Sequence, residues 1–177
     1  VFAREPGIQE YLMQVWHTMQ NAISEGLSKT GILPGGIDVE RKAQFLYNQK
    51  HIDESPQTRE NRIVCAYAFA VSEMNAANGM IVTAPTCGSC GVVPAVLIYA
   101  QQKEGYSDDQ IFSALAVGGL IGNLVKKNAS ISGAECGCQA EIGSASAMAA
   151  GAVAYLENGK NEEIIHAAAF ALKNMLG

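Results

Sequence analysis

Charge is scarce in this 177-residue chain: 16% of residues carry it, against about a quarter in an ordinary soluble domain. Twelve basic residues face 17 acidic ones, and the net charge is -5. No basic block offers phosphates a track, so a nucleic acid is not the expected partner. A hydrophobic content of 49% excludes a disordered polyelectrolyte. Long apolar runs are missing too. The longest, from Ile111 to Val125, is closed by Lys126 and Lys127, short of the roughly 20 residues that a membrane span needs. The N-terminal VFAREPGIQE has neither an apolar signal core nor an initiator Met, and the C-terminal ALKNMLG stops just past a helical pattern. Both ends read as internal to a longer protein. Five cysteines, odd in number and tightly spaced, are a poor match for a secreted disulfide framework. They point to metal or redox chemistry in a cytoplasmic setting. A chain of this size buries a real core without disulfides.

What is present is helical periodicity. Ile8, Tyr11, Leu12, Val15, Met19, Ile23 and Leu27 recur at spacings of three and four and predict a helix with one apolar stripe. Pro6 stands near its start, where a missing N–H costs little. Lys29–Gly36 is a Gly- and Pro-containing break, Arg41–Tyr47 a short helix, and Asp53–Thr58, with Pro56, a polar loop. Glu60–Ala77 is apolar nearly all round, so burial on several sides is expected, and Asn78-Gly79 stops it. Met80–Thr83 is either a strand or an extended loop. Gly91–Gln102 is a helix that tolerates Pro94 in its first turn. Ser107 and Gln110 form a capping box for the next, which runs to Lys127. Gln139–Leu156, containing GSASAMAAGAVA, is a helix of small residues suited to the centre of a bundle, and Glu162–Leu176 is the last helix. The expected fold is all-α: one domain over 1–177, a compact bundle of about six helices with two polar, cysteine-bearing loops.

Those loops carry the chemistry. The first is Ala84-Pro85-Thr86-Cys87-Gly88-Ser89-Cys90-Gly91, which feeds a helix N-terminus. Free N–H groups and the positive dipole end favour a carboxylate or phosphate there and lower a thiol pKa. The plainer alternative is a Gly-rich cap whose cysteines are small buried hydrophobes. The second loop, Asn128–Gln139, holds Ser130, Ser132, Glu135, Cys136 and Cys138. Cys87, Cys90, Cys136 and Cys138 together read C-x2-C … C-x-C, compatible with a structural zinc or an iron–sulfur cluster.

The segments SEMNAANGMIVTAPTCGSCGVVPAVL and NASISGAECGCQAEIGSASAMAAGAVAYL, from about Val64 to the C-terminus, resemble the iron–sulfur-dependent L-serine dehydratase family, in its α chain or α domain. The resemblance implies conversion of L-serine to pyruvate and ammonia with a [4Fe-4S] cluster and no pyridoxal phosphate. It implies three cysteine ligands and one open iron. One ligand lies in the Gly137-Cys138-Gln139 motif, so Cys138 is the expected metal ligand. The other two follow a later motif that this chain ends before, so 1–177 is expected to be inactive by itself. By the same pattern Cys87, Cys90 and Cys136 are not ligands.

In the implied chemistry an iron with an open position acts as a Lewis acid on the serine hydroxyl while a base removes the α-proton. The aminoacrylate that results hydrolyses to pyruvate and ammonia. Thr86, Ser89 and the backbone at Gly88 are candidates for holding the substrate carboxylate, with Ser130 and Ser132 acting from the other side and Asn75 positioning the first loop. The base is open: Glu73 and Glu135 are candidates, while His17, His51 and His166 fit solvated or core roles better. The resemblance places the base in a β chain or β domain, which is the expected partner within an oligomer. Two alternatives stay open: a non-catalytic helical module with a four-cysteine zinc, and a cluster enzyme acting on L-cysteine or another small amino acid.

Overall fold

The computed structural model describes residues 5, 7–50 and 52–176. Pro6 and His51 lie outside the described residues, as do the first four. Among the described residues the chain forms eight helices and no strand: α1 Ile8–Ser28, α2 Ala43–Asn48, α3 Pro56–Ala76, α4 Val92–Glu104, α5 Asp108–Asn128, α6 Gly133–Cys136, α7 Cys138–Leu156 and α8 Asn161–Lys173. The all-α expectation holds. Six helices are long, as the periodicity predicts, and two are short. Met80–Thr83 is extended loop, and a single antiparallel bridge pairs Ile32 with Glu40. No described helix is long and apolar enough to cross a membrane.

Local chemistry explains where the helices begin and end, and it corrects one boundary. The segment expected to be loop up to Thr58 turns helical at Pro56. Ser55 is the N-cap and accepts the Thr58 N–H at 3.1 Å, with Pro56 in the first turn. Proline has no N–H to leave unpaired there, and its fixed φ suits a helix start. The box at Ser107 forms as read, with Gln110 Oε1 accepting the Ser107 N–H at 2.9 Å. At both Asn-Gly stops the asparagine takes the left-handed conformation, φ 57° at Asn78 and 61° at Asn158. The N–H of each following glycine returns to the helix, Gly79 to the Met74 carbonyl and Gly159 to the Ala154 carbonyl, both at 2.8 Å. Orphan carbonyls at the two helix ends are satisfied in this way.

α7 is the central element. It packs against α4, α5 and α8, while α1 packs across α3, α5 and α4. Gly143, Ser144, Ala145, Ala147, Ala149, Gly151 and Ala152 of α7 are buried. Trp16, Leu97 and Ile111 fill the core and are fully buried. The small residues bring backbones close, and the large ones fill what remains at native packing density. α2 is fastened to α3 by Arg62, which makes a two-pronged ion pair with Glu54 at 2.6 and 2.7 Å and donates to the Leu46 carbonyl at 2.6 Å. α1 and α3 cross backbone to backbone at Gly26 of α1, where an added Cβ would stand 2.4 Å from the Ala70 carbonyl oxygen. Neither backbone can yield, so Gly26→Ala is expected to destabilise the fold by about 1–3 kcal/mol. Urea denaturation checks this; an unchanged midpoint would show that the crossing relaxes.

Candidate functional site

Both loops are built by local hydrogen bonds that follow from their composition. In the first, Ser89 is buried and its hydroxyl donates to the Ala84 carbonyl at 3.1 Å, with Thr86 Oγ1 at 3.3 Å. The Cys90 and Val92 N–H groups turn back to the Cys87 and Ser89 carbonyls at 3.3 and 3.1 Å, leading the chain into α4. Asn75, at the end of α3, donates through Nδ2 to the Cys87 carbonyl at 3.2 Å. Thr86 is half-buried, and Cys87 and Gly88 are exposed. Ser89 therefore shapes the loop from inside, and its hydroxyl does not face solvent as a substrate donor would. For Cys90 the structure favours the second of the two readings of this loop. The thiol is buried, and burial, with the neighbouring Cys87 thiol adding, pushes its pKa up to about 11, rather than the helix start lowering it. It is a small hydrophobe of the core.

The second loop begins where α5 ends. Ser130 Oγ donates to Glu135 Oε2 at 2.5 Å and accepts the Ser132 N–H at 3.1 Å. α6 is a single turn, closed by the Cys136 N–H on the Ser132 carbonyl at 3.0 Å. Gly137 follows with φ 81°, a conformation that disfavours any Cβ, and it aims the chain into α7. Cys138 is the first residue of α7, and its side chain is exposed.

The two loops meet at a residue not singled out from the sequence. Glu141 lies one turn beyond Cys138 on α7 and is half-buried. Its Oε1 accepts the Gly133 N–H at 3.3 Å. A Cβ added at Gly133 would stand 2.7 Å from Oε1, and one added at Gly88 would overlap Oε2. Glycine at both positions leaves the room in which this carboxylate sits. The available signal was its i,i+3 spacing from Cys138, which puts both side chains on one helix face.

The remaining candidates are engaged elsewhere or exposed. Glu73 is buried, and its Oε1 accepts the Lys42 and Ala43 N–H groups at 2.5 and 3.2 Å. It caps the start of α2, the alternative to a catalytic role that its apolar helix left open. Glu135 is exposed and engaged by Ser130. His17 on α1 and His166 on α8 are exposed. Among the described residues no three His, Cys, Asp or Glu side chains converge where they could hold a metal. The C-x2-C … C-x-C reading is thus corrected: with Cys90 in the core, the four thiols do not form one site. A cubane cluster held by three thiolates fits only in part, since Cys138 is the one thiol at the start of α7.

Comparison with known proteins decides the family. A model described as the serine dehydratase alpha chain matches residues 4–177. The chain belongs to this family. The L-serine dehydratase of Streptomyces coelicolor is 42% identical over 174 residues, 98% of this chain and 38% of the relative. L-serine dehydratase 1 of Escherichia coli is 43% identical over 175 residues, 96% of this chain and 38% of the relative. L-serine dehydratase of Helicobacter pylori is 39% identical over 174 residues, with 94% of this chain and 38% of the relative covered. The chain thus spans less than two fifths of the length of these relatives, and both loops lie inside the matched region.

Thiol chemistry separates the cysteines of this alpha-chain region. Cys65, Cys87, Cys136 and Cys138 are exposed and Cys90 is buried. At pH 8 a thiol with the Cys90 value has about one molecule in a thousand as thiolate. Iodoacetamide is expected to label the four exposed positions in the folded chain and Cys90 only after denaturation. Mass spectrometry of the peptides reads the result, and equal labelling of Cys90 would contradict its burial.

Proposed function

We infer that the chain is the α part of an enzyme that eliminates water from L-serine and releases pyruvate and ammonia. The observation that carries this reading is identity of about 40% with relatives named L-serine dehydratase over nearly the whole chain. The relatives' greater length leaves room for a β part, in the same chain or a separate one, and for the oligomer it would build. Free thiols suit a reducing cytoplasm.

In this reading Cys138 is one ligand of a [4Fe-4S] cluster, and the others come from residues beyond 1–177. When bound, the cluster supplies a Lewis-acidic iron that helps the serine hydroxyl leave. The chain's own residues bind and orient. The exposed Gly88 backbone and the Thr86 hydroxyl hold the substrate carboxylate, and the Asn75 bond to the Cys87 carbonyl keeps that loop in place. Ser130 and Ser132 shape the opposite wall. Neither of the two candidate carboxylates stands ready as the base. Glu73 caps α2, and Glu135 is held by Ser130. The base is assigned to the β part, where it would take the α-proton as hydroxide departs. Aminoacrylate then tautomerises and hydrolyses to pyruvate and ammonia.

The test uses the full-length protein, reconstituted with iron and sulfide without oxygen. Cys138→Ala is expected to lose both the iron–sulfur absorbance and pyruvate formation, whereas Cys136→Ala retains both in substantial part. Equal loss from the two would return Cys136 to the ligand set. A full-length protein that binds no iron or forms no pyruvate from serine would end the proposal.

A further inference from the structure

We propose that Glu141 binds the α-ammonium group of the substrate and so restricts the site to amino acids. The inference rests on the serine-deaminating reading above. An L-α-amino acid carries an ammonium and a carboxylate on one carbon, so its pocket needs an anion beside a group of hydrogen-bond donors. The glycine-bearing loop of Thr86 and Gly88 supplies donors, and Glu141 supplies the anion against that same loop.

Three observations single out this carboxylate. It touches both loops, through Gly88 on one side and Gly133 on the other. Its Oε1 is occupied by the Gly133 N–H, whereas Oε2 faces Gly88 with no hydrogen-bond partner among the described residues. It is half-buried, so its charge is incompletely screened by water and pairs strongly with an arriving cation. Its one rival near the junction, Glu135, is exposed and already takes the Ser130 hydroxyl. Glu141 also shares a helix face with Cys138, one turn away, so a small amino acid bound at Oε2 lies alongside the start of α7.

A bridging role and an ammonium-binding role predict opposite orders in two variants of the full-length, reconstituted enzyme. Glu141→Gln keeps the size and the acceptor for the Gly133 N–H but loses the charge. Glu141→Asp keeps the charge and loses reach. If Glu141 binds ammonium, the KM for L-serine rises about 10- to 100-fold in Glu141→Gln and less in Glu141→Asp, with kcat affected far less than KM. A KM in Glu141→Gln within twofold of wild type, or closer to wild type than that of Glu141→Asp, overturns the assignment and leaves a bridge between loops. Gly88→Ala is the second variant and leaves Glu141 itself intact. Its new methyl pushes the carboxylate aside, and a KM rise without loss of helical circular dichroism is expected; an unchanged KM counts against the assignment. A wild-type enzyme that forms no pyruvate from serine overturns the functional reading itself, and this inference with it.

Discussion

Small side chains along α7 set the distances on which the rest of the bundle depends. Gly143, Ala145, Ala147, Ala149, Gly151 and Ala152 are buried at its contacts, and α4, α5 and α8 all pack against it. A Cβ at Gly151 would overlap the end of Ile121 on α5. Each residue removes little apolar surface from water by itself. The gain lies in close approach, where many weak dispersion contacts accumulate between backbones and neighbouring side chains. A helix held on three sides has little freedom to tilt, and its axis sets where its first turn stands.

That first turn carries Cys138 and Glu141, and so the packing constraint becomes a functional one. The loop before α4 and the loop before α7 would be mobile if each stood alone. Internal hydrogen bonds stiffen both, through Ser89 to Ala84 and through Ser130 to Glu135. Asn75 ties the first to α3, and Glu141 sits in the space that glycines leave between the two. Placing a site on helix starts, with loops pinned to them, holds polar groups in position before a substrate arrives.

The polar residues divide by burial. Glu73 lies in an apolar helix, where a buried polar group needs partners, and its Oε1 finds them in the first N–H groups of α2, while its Oε2 is buried without one. Cys90 lies two residues from the exposed Gly88 of its loop, yet it belongs to the core. Cys138, on a helix whose middle is buried, is exposed. Residue type does not separate these cases. Only the direction of each side chain relative to the neighbouring helices does.

Much of the architecture was legible beforehand. Apolar spacing placed α1 and the other long helices, and the Ser107–Gln110 pair and the Asn-Gly stops marked their ends, because these signals are local and act through neighbours within one turn. Pro56 misled, since a proline marks a loop or a first turn alike until the residue before it is seen to cap. The short α6 escaped because a single turn has no periodicity to detect. Sequence by itself determined the helices, their small-residue centre and the family, all carried by order along the chain. Tertiary structure alone decided that four cysteines do not converge, that Glu73 caps a helix and that Glu141 joins two loops 45 residues apart at Gly88 and Gly133. Those facts depend on distances between elements, which packing sets and residue order does not contain.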